Sequence, residues 1–302
     1  MRLNLLHLLF SLTLDGMIVD PFDLFDLSRR FPRAFRQVTC GRVAPCGDCH
    51  ETAGCPWFPL FGQQLSTDPE SIKRHQKPPL PFVFALPLLE AGEHAGSDLE
   101  IELILVGSAV NHAADFIRAM ARYLAGDGAG SNLSLTLDGI ATMGLFGERY
   151  SISLHKQSEP CGDLRILPAE DIAAKTVRDR ANVMLTFLSP LRQFRDGRLL
   201  RSFDCSAFLR NLIRRISSLI ATYGDGEQDA DFRRLAELSR DVVVKRNDLV
   251  FTPGSGPNRS GVRGSVCLSG ELGAFLPYLF LGEYLHAGKG ASWGFGGYKI
   301  GD

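Results

Sequence analysis

From Asn182 to Ile300 the chain reads in one order: strand, helix, strand, strand, helix, strand. Asn182–Ser189 is an apolar run of strand length, and Pro190 is expected to stop it. Asp204–Tyr223 predicts an amphipathic helix, with Asp204 as its N-cap and Phe208, Leu212, Ile216 and Leu219 on one face. Asp229–Arg240 predicts a shorter, charged helix. Val242–Phe251 and Val262–Leu268 predict a hairpin around the Gly/Pro-rich stretch 252–261. Gly273–His286 is an apolar helix and Phe295–Ile300 a last strand. This β-α-β-β-α-β order is the ferredoxin-like split.

The first half repeats the order. Leu3–Leu14 predicts a strand, Phe22–Phe35 an arginine-bearing helix, Phe82–Leu86 and Leu99–Val106 two strands, and Asp115–Leu124 a helix. Strands near Leu133–Leu137 and Tyr150–His155 follow. The expected fold class is α+β: two tandem ferredoxin-like (βαββαβ) domains, residues 1–158 and 177–302, joined by Glu159–Thr176, with a cysteine-rich insertion at 40–57 in the first. A length of 302 residues is enough for two cores. The apolar opening Met1–Phe10 has the look of a weak signal peptide, but Asn4 and His7 interrupt it and no small-residue cleavage site follows, so it reads as a buried first strand. Nothing approaches a membrane span, and a cytoplasmic protein is expected.

The segment Gly288-Lys289-Gly290-Ala291-Ser292-Trp293-Gly294-Phe295-Gly296-Gly297-Tyr298 concentrates five glycines around one lysine. Such density lets backbone N–H groups converge on phosphate oxygens; a plain turn closing the last strand is the other reading. It is not a Walker loop, because Gly290 follows Lys289 and five residues separate Gly282 from Gly288. Net charge is −1, so any nucleic-acid contact must be a local patch. Between Arg178 and Arg215 nine arginines face only three aspartates, a pattern suited to phosphate or to a solvated helix face.

Cys40, Cys46, Cys49 and Cys55 place four thiols in sixteen glycine-punctuated residues. Structural zinc is the leading reading, with an iron–sulfur cluster, unmetallated thiols and CxxCH haem attachment at Cys46–His50 as alternatives.

The chain resembles the RAMP superfamily of CRISPR-associated proteins, and within it the endoribonuclease that cuts precursor CRISPR RNA. Phe187-Leu188-Ser189-Pro190-Leu191-Arg192 is similar to a strand of that family, Leu209–Tyr223 with Arg214-Arg215-Ile216 to the helix after it, and Gly288–Tyr298 to its terminal glycine-rich loop. Cys40–Trp57 followed by Pro81-Phe82-Val83-Phe84 resembles a cysteine-bearing branch. The resemblance implies metal-independent attack of a ribose 2′-OH on the adjacent phosphate, at a site between the domains, with no cofactor needed for catalysis. It implies repeat RNA as partner, other CRISPR effector subunits as further partners, and neither DNA nor membrane.

On this reading RNA meets Gly288, Lys289, Gly290, Ser292, Gly294, Gly296, Arg192, Arg195, Arg214 and Arg215. Arg259 and Arg263, in the Gly/Pro-rich hairpin, are expected to grip a repeat stem; Trp293, Phe295 and Tyr298 are suited to stacking bases, with Phe295 a core residue instead if it opens the last strand. Relatives carry a His just after the first helix; here that neighbourhood is the cysteine segment. His50 and His112 are the leading candidates for the base, with His75 and His286 in reserve. A non-catalytic RNA-binding subunit is the second reading, and a metal- or haem-binding redox protein the third.

Overall fold

The computed structural model describes residues 2–40, 46, 49, 54–63, 77–124, 134–154, 160–174, 181–226, 230–254 and 259–301. The leucine-rich opening forms β1 (Asn4–Ile18), the central strand of the first sheet, as its near-continuous burial requires. Helix α1 (Asp23–Thr39) turns Leu24, Phe25, Leu27, Phe31 and Phe35 inward, and a short α2 (Trp57–Phe61) packs beside it. Then come β2 (Phe82–Ala85), β3 (Gly92–Val106), α3 (Ala113–Arg122) and β4 (Ser134–Met143), in the antiparallel order β2-β3-β1-β4 of a βαββαβ unit. Strands β5 (Arg149–Leu154) and β6 (Pro160–Gly162) extend that edge.

The described part of the stretch expected as a linker, residues 160–174, is structured. Its β7 (Ile166–Pro168) pairs with Asn4–Leu6 of β1, and α4 (Ala169–Ala174) follows.

The second unit starts with β8 (Asn182–Leu191), then a two-residue hairpin of β9 (Phe194–Arg195) and β10 (Arg198–Leu199). Helix α5 (Cys205–Tyr223) is N-capped as expected: the Asp204 carboxylate accepts from the Ala207 N–H at 3.0 Å. After α6 (Phe232–Leu238) come β11 (Val243–Asn247), β12 (Val250–Thr252), β13 (Gly261–Ser269), α7 (Leu276–Leu285) and β14 (Tyr298–Gly301). The sheet order is β11-β13-β8-β14, again that of βαββαβ, with β12 also on β13.

Three local expectations are corrected. Strand β8 passes through Pro190 to Leu191, because pairing with β13 shifts register between Val262 and Gly264 and asks no ladder N–H of the proline. The predicted strand Val242–Phe251 is broken into β11 and β12. The last strand begins at Tyr298, not Phe295.

The two units exchange core residues. Leu3, Leu5, Val83, Ile104 and Val106 of the first sheet join the second core, together with Ile172 of α4. Helix α7 lies against them; it is apolar on most sides because it is covered on most sides, with Glu283 accepting from the Ile300 N–H at 2.8 Å. In return Phe295 fills the first core, its ring 4.8 Å from that of Phe25 and 6.4 Å from that of Phe22.

Candidate nucleic-acid interface

A cleft of about 830 Å³ opens between the units. Gln63, Lys77, Pro78 and Pro79 line it from the first unit, facing Arg192, Phe194, Asn211, Arg214, Arg215, Gly288 and Lys289 of the second. Five cations therefore meet there, and among the described lining residues there is no carboxylate. Gln63 donates from Nε2 to the Pro78 carbonyl at 2.7 Å, which fixes the first-unit rim.

Each cation has its own support. Arg192 is 5% exposed, sits 5.1 Å over the Phe295 ring, and has its pKa lowered by burial and then by Arg29. Arg215 donates to the Leu285 carbonyl at 2.9 Å and to Ser292 Oγ at 3.2 Å. Burial lowers its pKa to about 10, and among the described residues it forms no ion pair with a carboxylate. Arg214 is exposed on α5 and donates to Asn211 Oδ1 at 2.9 Å. Lys289 is exposed, with Nζ 4.7 Å from the centre of the Phe194 ring. Cations concentrated in a groove without counter-charges hold a polyanionic backbone.

Much of the glycine-rich loop's backbone is engaged within the protein. The N–H of Lys289 bonds the Arg192 carbonyl at 2.9 Å, that of Trp293 the Gly290 carbonyl at 2.8 Å, and that of Gly296 the Pro190 carbonyl at 3.0 Å. Gly297 N–H donates to Ser189 Oγ at 2.9 Å. These amides fasten the loop to β8 and to itself, leaving the Lys289 side chain and Gly288 to face the cleft. Ser292 is buried, accepting from Arg215 and donating to the Leu80 carbonyl at 3.5 Å. Gly290 lies against Phe295, and Gly296 against the Ala287 carbonyl. Gly294 touches Leu86 and Phe25 of the first unit, so a Cβ there would come within 3.0 Å of Leu86.

Of the aromatics considered for base stacking, Phe295 and Tyr298 are core groups and Trp293 is half-buried against the first core. Phe295 and Tyr298 are each 1% exposed, Tyr298 donates its hydroxyl to the Leu279 carbonyl at 2.7 Å, and Trp293 packs edge-on to Phe82. Arg259 also turns inward, donating to Asp26 Oδ2 at 2.8 Å and to Asp20 Oδ2. Its forked edge, expected for phosphate, clips the hairpin to the start of α1. Arg195 is paired with Asp204. Arg263 is exposed on β13 and lines a smaller cavity of about 310 Å³, with Glu100, Glu102 and His286, away from the cleft.

His286 is 3% exposed and neutral: burial first, then Arg215, lowers its pKa to about 3. His112 lies 3.4 Å from Asp115, at the start of α3. Among the described histidines none lines the cleft. His50 and His75 lie outside the described residues. Cys40, Cys46, Cys49 and Cys55 are partly exposed, and the Cys49 N–H reaches the Cys46 carbonyl at 3.4 Å. Among the described residues no three His, Cys, Asp or Glu side chains are grouped to hold a metal ion.

Sequence reasoning missed Gln63, Lys77 and Phe194. A signal for Phe194 existed: Asp196-Gly197, with φ of 51° and 75°, is the dipeptide of a tight hairpin turn.

Residues 185–298 match the family model described as CRISPR-associated endoribonuclease Cas6, and residues 27–159 match a second model described as an N-terminal domain. No curated protein matches the chain by sequence. The product complex of Cas6 (TTHB231), a Thermus thermophilus protein, is 16% identical over 98% of each chain, with a TM-score of 0.58. The substrate-mimic complex of Cas6 (TTHA0078) is 15% identical over 99% of each chain, at 0.55. A partial Cas6-RT-Cas1–Cas2 complex scores 0.60 at 12% identity, covering 99% of this chain and 46% of that one. At such identities the likeness is one of fold, the tandem ferredoxin-like arrangement described above.

Proposed function

We propose, from a chain whose residues 185–298 match the model of the CRISPR-associated endoribonuclease Cas6, that the protein binds CRISPR repeat RNA in the cationic cleft and cuts it. A ribose 2′-OH attacks the adjacent phosphorus, the bond to the 5′ oxygen breaks, and a 2′,3′-cyclic phosphate and a 5′-OH remain. The reaction needs a base at the 2′-OH, an acid at the leaving oxygen and positive charge on the phosphate. The cleft, with five cations and no carboxylate among its described lining residues, is the observation that carries the reading: Lys289, Arg192, Arg214, Arg215 and Lys77 supply that charge. The proposed reaction needs no metal ion.

For the base, His75 is the first candidate, being two residues from Lys77, which lines the cleft. His50 is the second; His112 and His286 stand elsewhere. Product complexes of Cas6 (TTHB231) and Cas6 (TTHA0078) support a product that stays bound, and the Cas6-RT-Cas1–Cas2 assembly supports other CRISPR proteins as partners. The cysteine segment is proposed as structural zinc on its donor chemistry alone. A cytoplasmic site of action is proposed; no helix among the described residues is long and apolar enough to cross a membrane.

Incubating the purified protein with repeat RNA in EDTA tests the reading. Cleavage to cyclic-phosphate ends is expected, and intact RNA would overturn it. Single substitutions H75A and H50A then locate the base. The second reading, an RNA-binding subunit without activity, is favoured by the absence of a described histidine from the cleft, and predicts tight binding with no product.

A further inference from the structure

We propose that Phe194 is the platform on which the cleft stacks one unpaired RNA base, so that the substrate class is RNA with a single-stranded nucleotide beside the gripped phosphate; this rests on the RNA-binding reading above. Phe194 is the one aromatic ring among the described cleft-lining residues. It is only partly buried and belongs to neither hydrophobic core, so packing does not account for it. Two cations lie over its ring, Lys289 Nζ 4.7 Å and the Arg192 guanidinium carbon 5.6 Å from the centroid, so an incoming base takes the place of the exposed lysine head on the ring as that head moves to the phosphate. An aromatic surface beside cations matches the two halves of a nucleotide: base on the ring, phosphate on the charges.

The ring is held in place before any ligand arrives. Gln193 donates from Nε2 to the Asp204 carbonyl at 2.9 Å, accepts from the Asp204 N–H at 3.1 Å, and takes the Leu200 N–H on its own carbonyl at 2.8 Å. The β9–β10 hairpin is thereby pinned to the start of α5. A base inside a duplex has both faces covered by its neighbours, which leaves the ring an unpaired base or, at the end of a stem, the outer face of the last pair.

The test is binding of wild type, F194L, F194Y, F194W and K289A to repeat RNA in which each nucleotide in turn is replaced by abasic ribose. F194L should bind about ten- to a hundredfold more weakly, while F194Y and F194W stay near wild type. One abasic position should cost wild type a similar factor and cost F194L nothing further. F194L should keep the wild-type salt dependence, because stacking releases no counterions, whereas K289A should flatten the slope of log K on log salt by about 0.7. F194L binding as tightly as wild type, or no abasic position weakening wild type, would overturn the proposal. So would an F194L slope that flattens like that of K289A, since the ring would then act only by positioning the lysine. The abasic series on wild type needs no variant to fold. Failure of wild type to bind repeat RNA at all sinks the functional reading instead, a separate and visible outcome.

Discussion

Two single residues carry unusual conformational loads. His286 sits at φ 56° and ψ 169°, a region almost reserved for glycine, and its buried ring lies against Gly297. Holding it there costs about 1–3 kcal/mol. Its folded pKa of about 3 lies below the ordinary 6.5, so between those values the unfolded chain binds a proton that the folded chain refuses. This residue's contribution to stability therefore falls as pH drops through that window, by at most about 1.4 kcal/mol per unit. H286Q should flatten the dependence below pH 6.5, read from urea midpoints at a series of pH values; parallel curves for the two proteins would refute it. Gly296 makes the contrast with Lys289. A Cβ at Gly296 would stand 1.9 Å from the Ala287 carbonyl oxygen at φ 65°, so G296A should lose upwards of about 2 kcal/mol in a thermal melt. K289A should leave stability within about 0.5 kcal/mol while weakening RNA binding.

At the level of elements, the Arg259 clip joins the β12–β13 connection to the start of α1. Its side chain is 17% exposed, and removing it leaves Asp20 and Asp26 without that cation. R259A should cost about 2–3 kcal/mol, short of the loss at a fully buried pair. Denaturation at low and high salt would check this; an unchanged midpoint would mean the clip contributes nothing. Both βαββαβ orders were legible because α1, α3 and α5 are amphipathic and show in local periodicity, while β1 and α7 show as near-continuous apolar runs. The β9–β10 hairpin was not, although Asp196-Gly197 announced its turn, because two-residue strands leave no alternation to read. Which way an arginine faces was equally hidden. Arg214 and Arg215 are neighbours on one helix, yet one is exposed and the other reaches Leu285 and Ser292, partners about 70 residues away in sequence. Phe295 looked like the start of a strand for the same reason: the pocket it fills belongs to the other unit.

The whole molecule is two units that each complete the other. F295A, a change in the second unit, should destabilise by about 3–5 kcal/mol and lower hydrogen-exchange protection in α1 of the first. Protection lost only around β14 would contradict this. The cleft depends on the same interlock, since its two rims are held at their spacing by the Phe295 ring and the Gly294 contact. That ring also has a consequence for how the protein is made. On the ribosome, β1 and α1 emerge early and Phe295 only after the rest of the second unit has been translated. Until then Phe22 and Phe25 lack the ring that they pack against in the finished fold. The nascent first half is thus expected to linger as a partly open, chaperone-dependent intermediate, sealed only when the tail threads back into it.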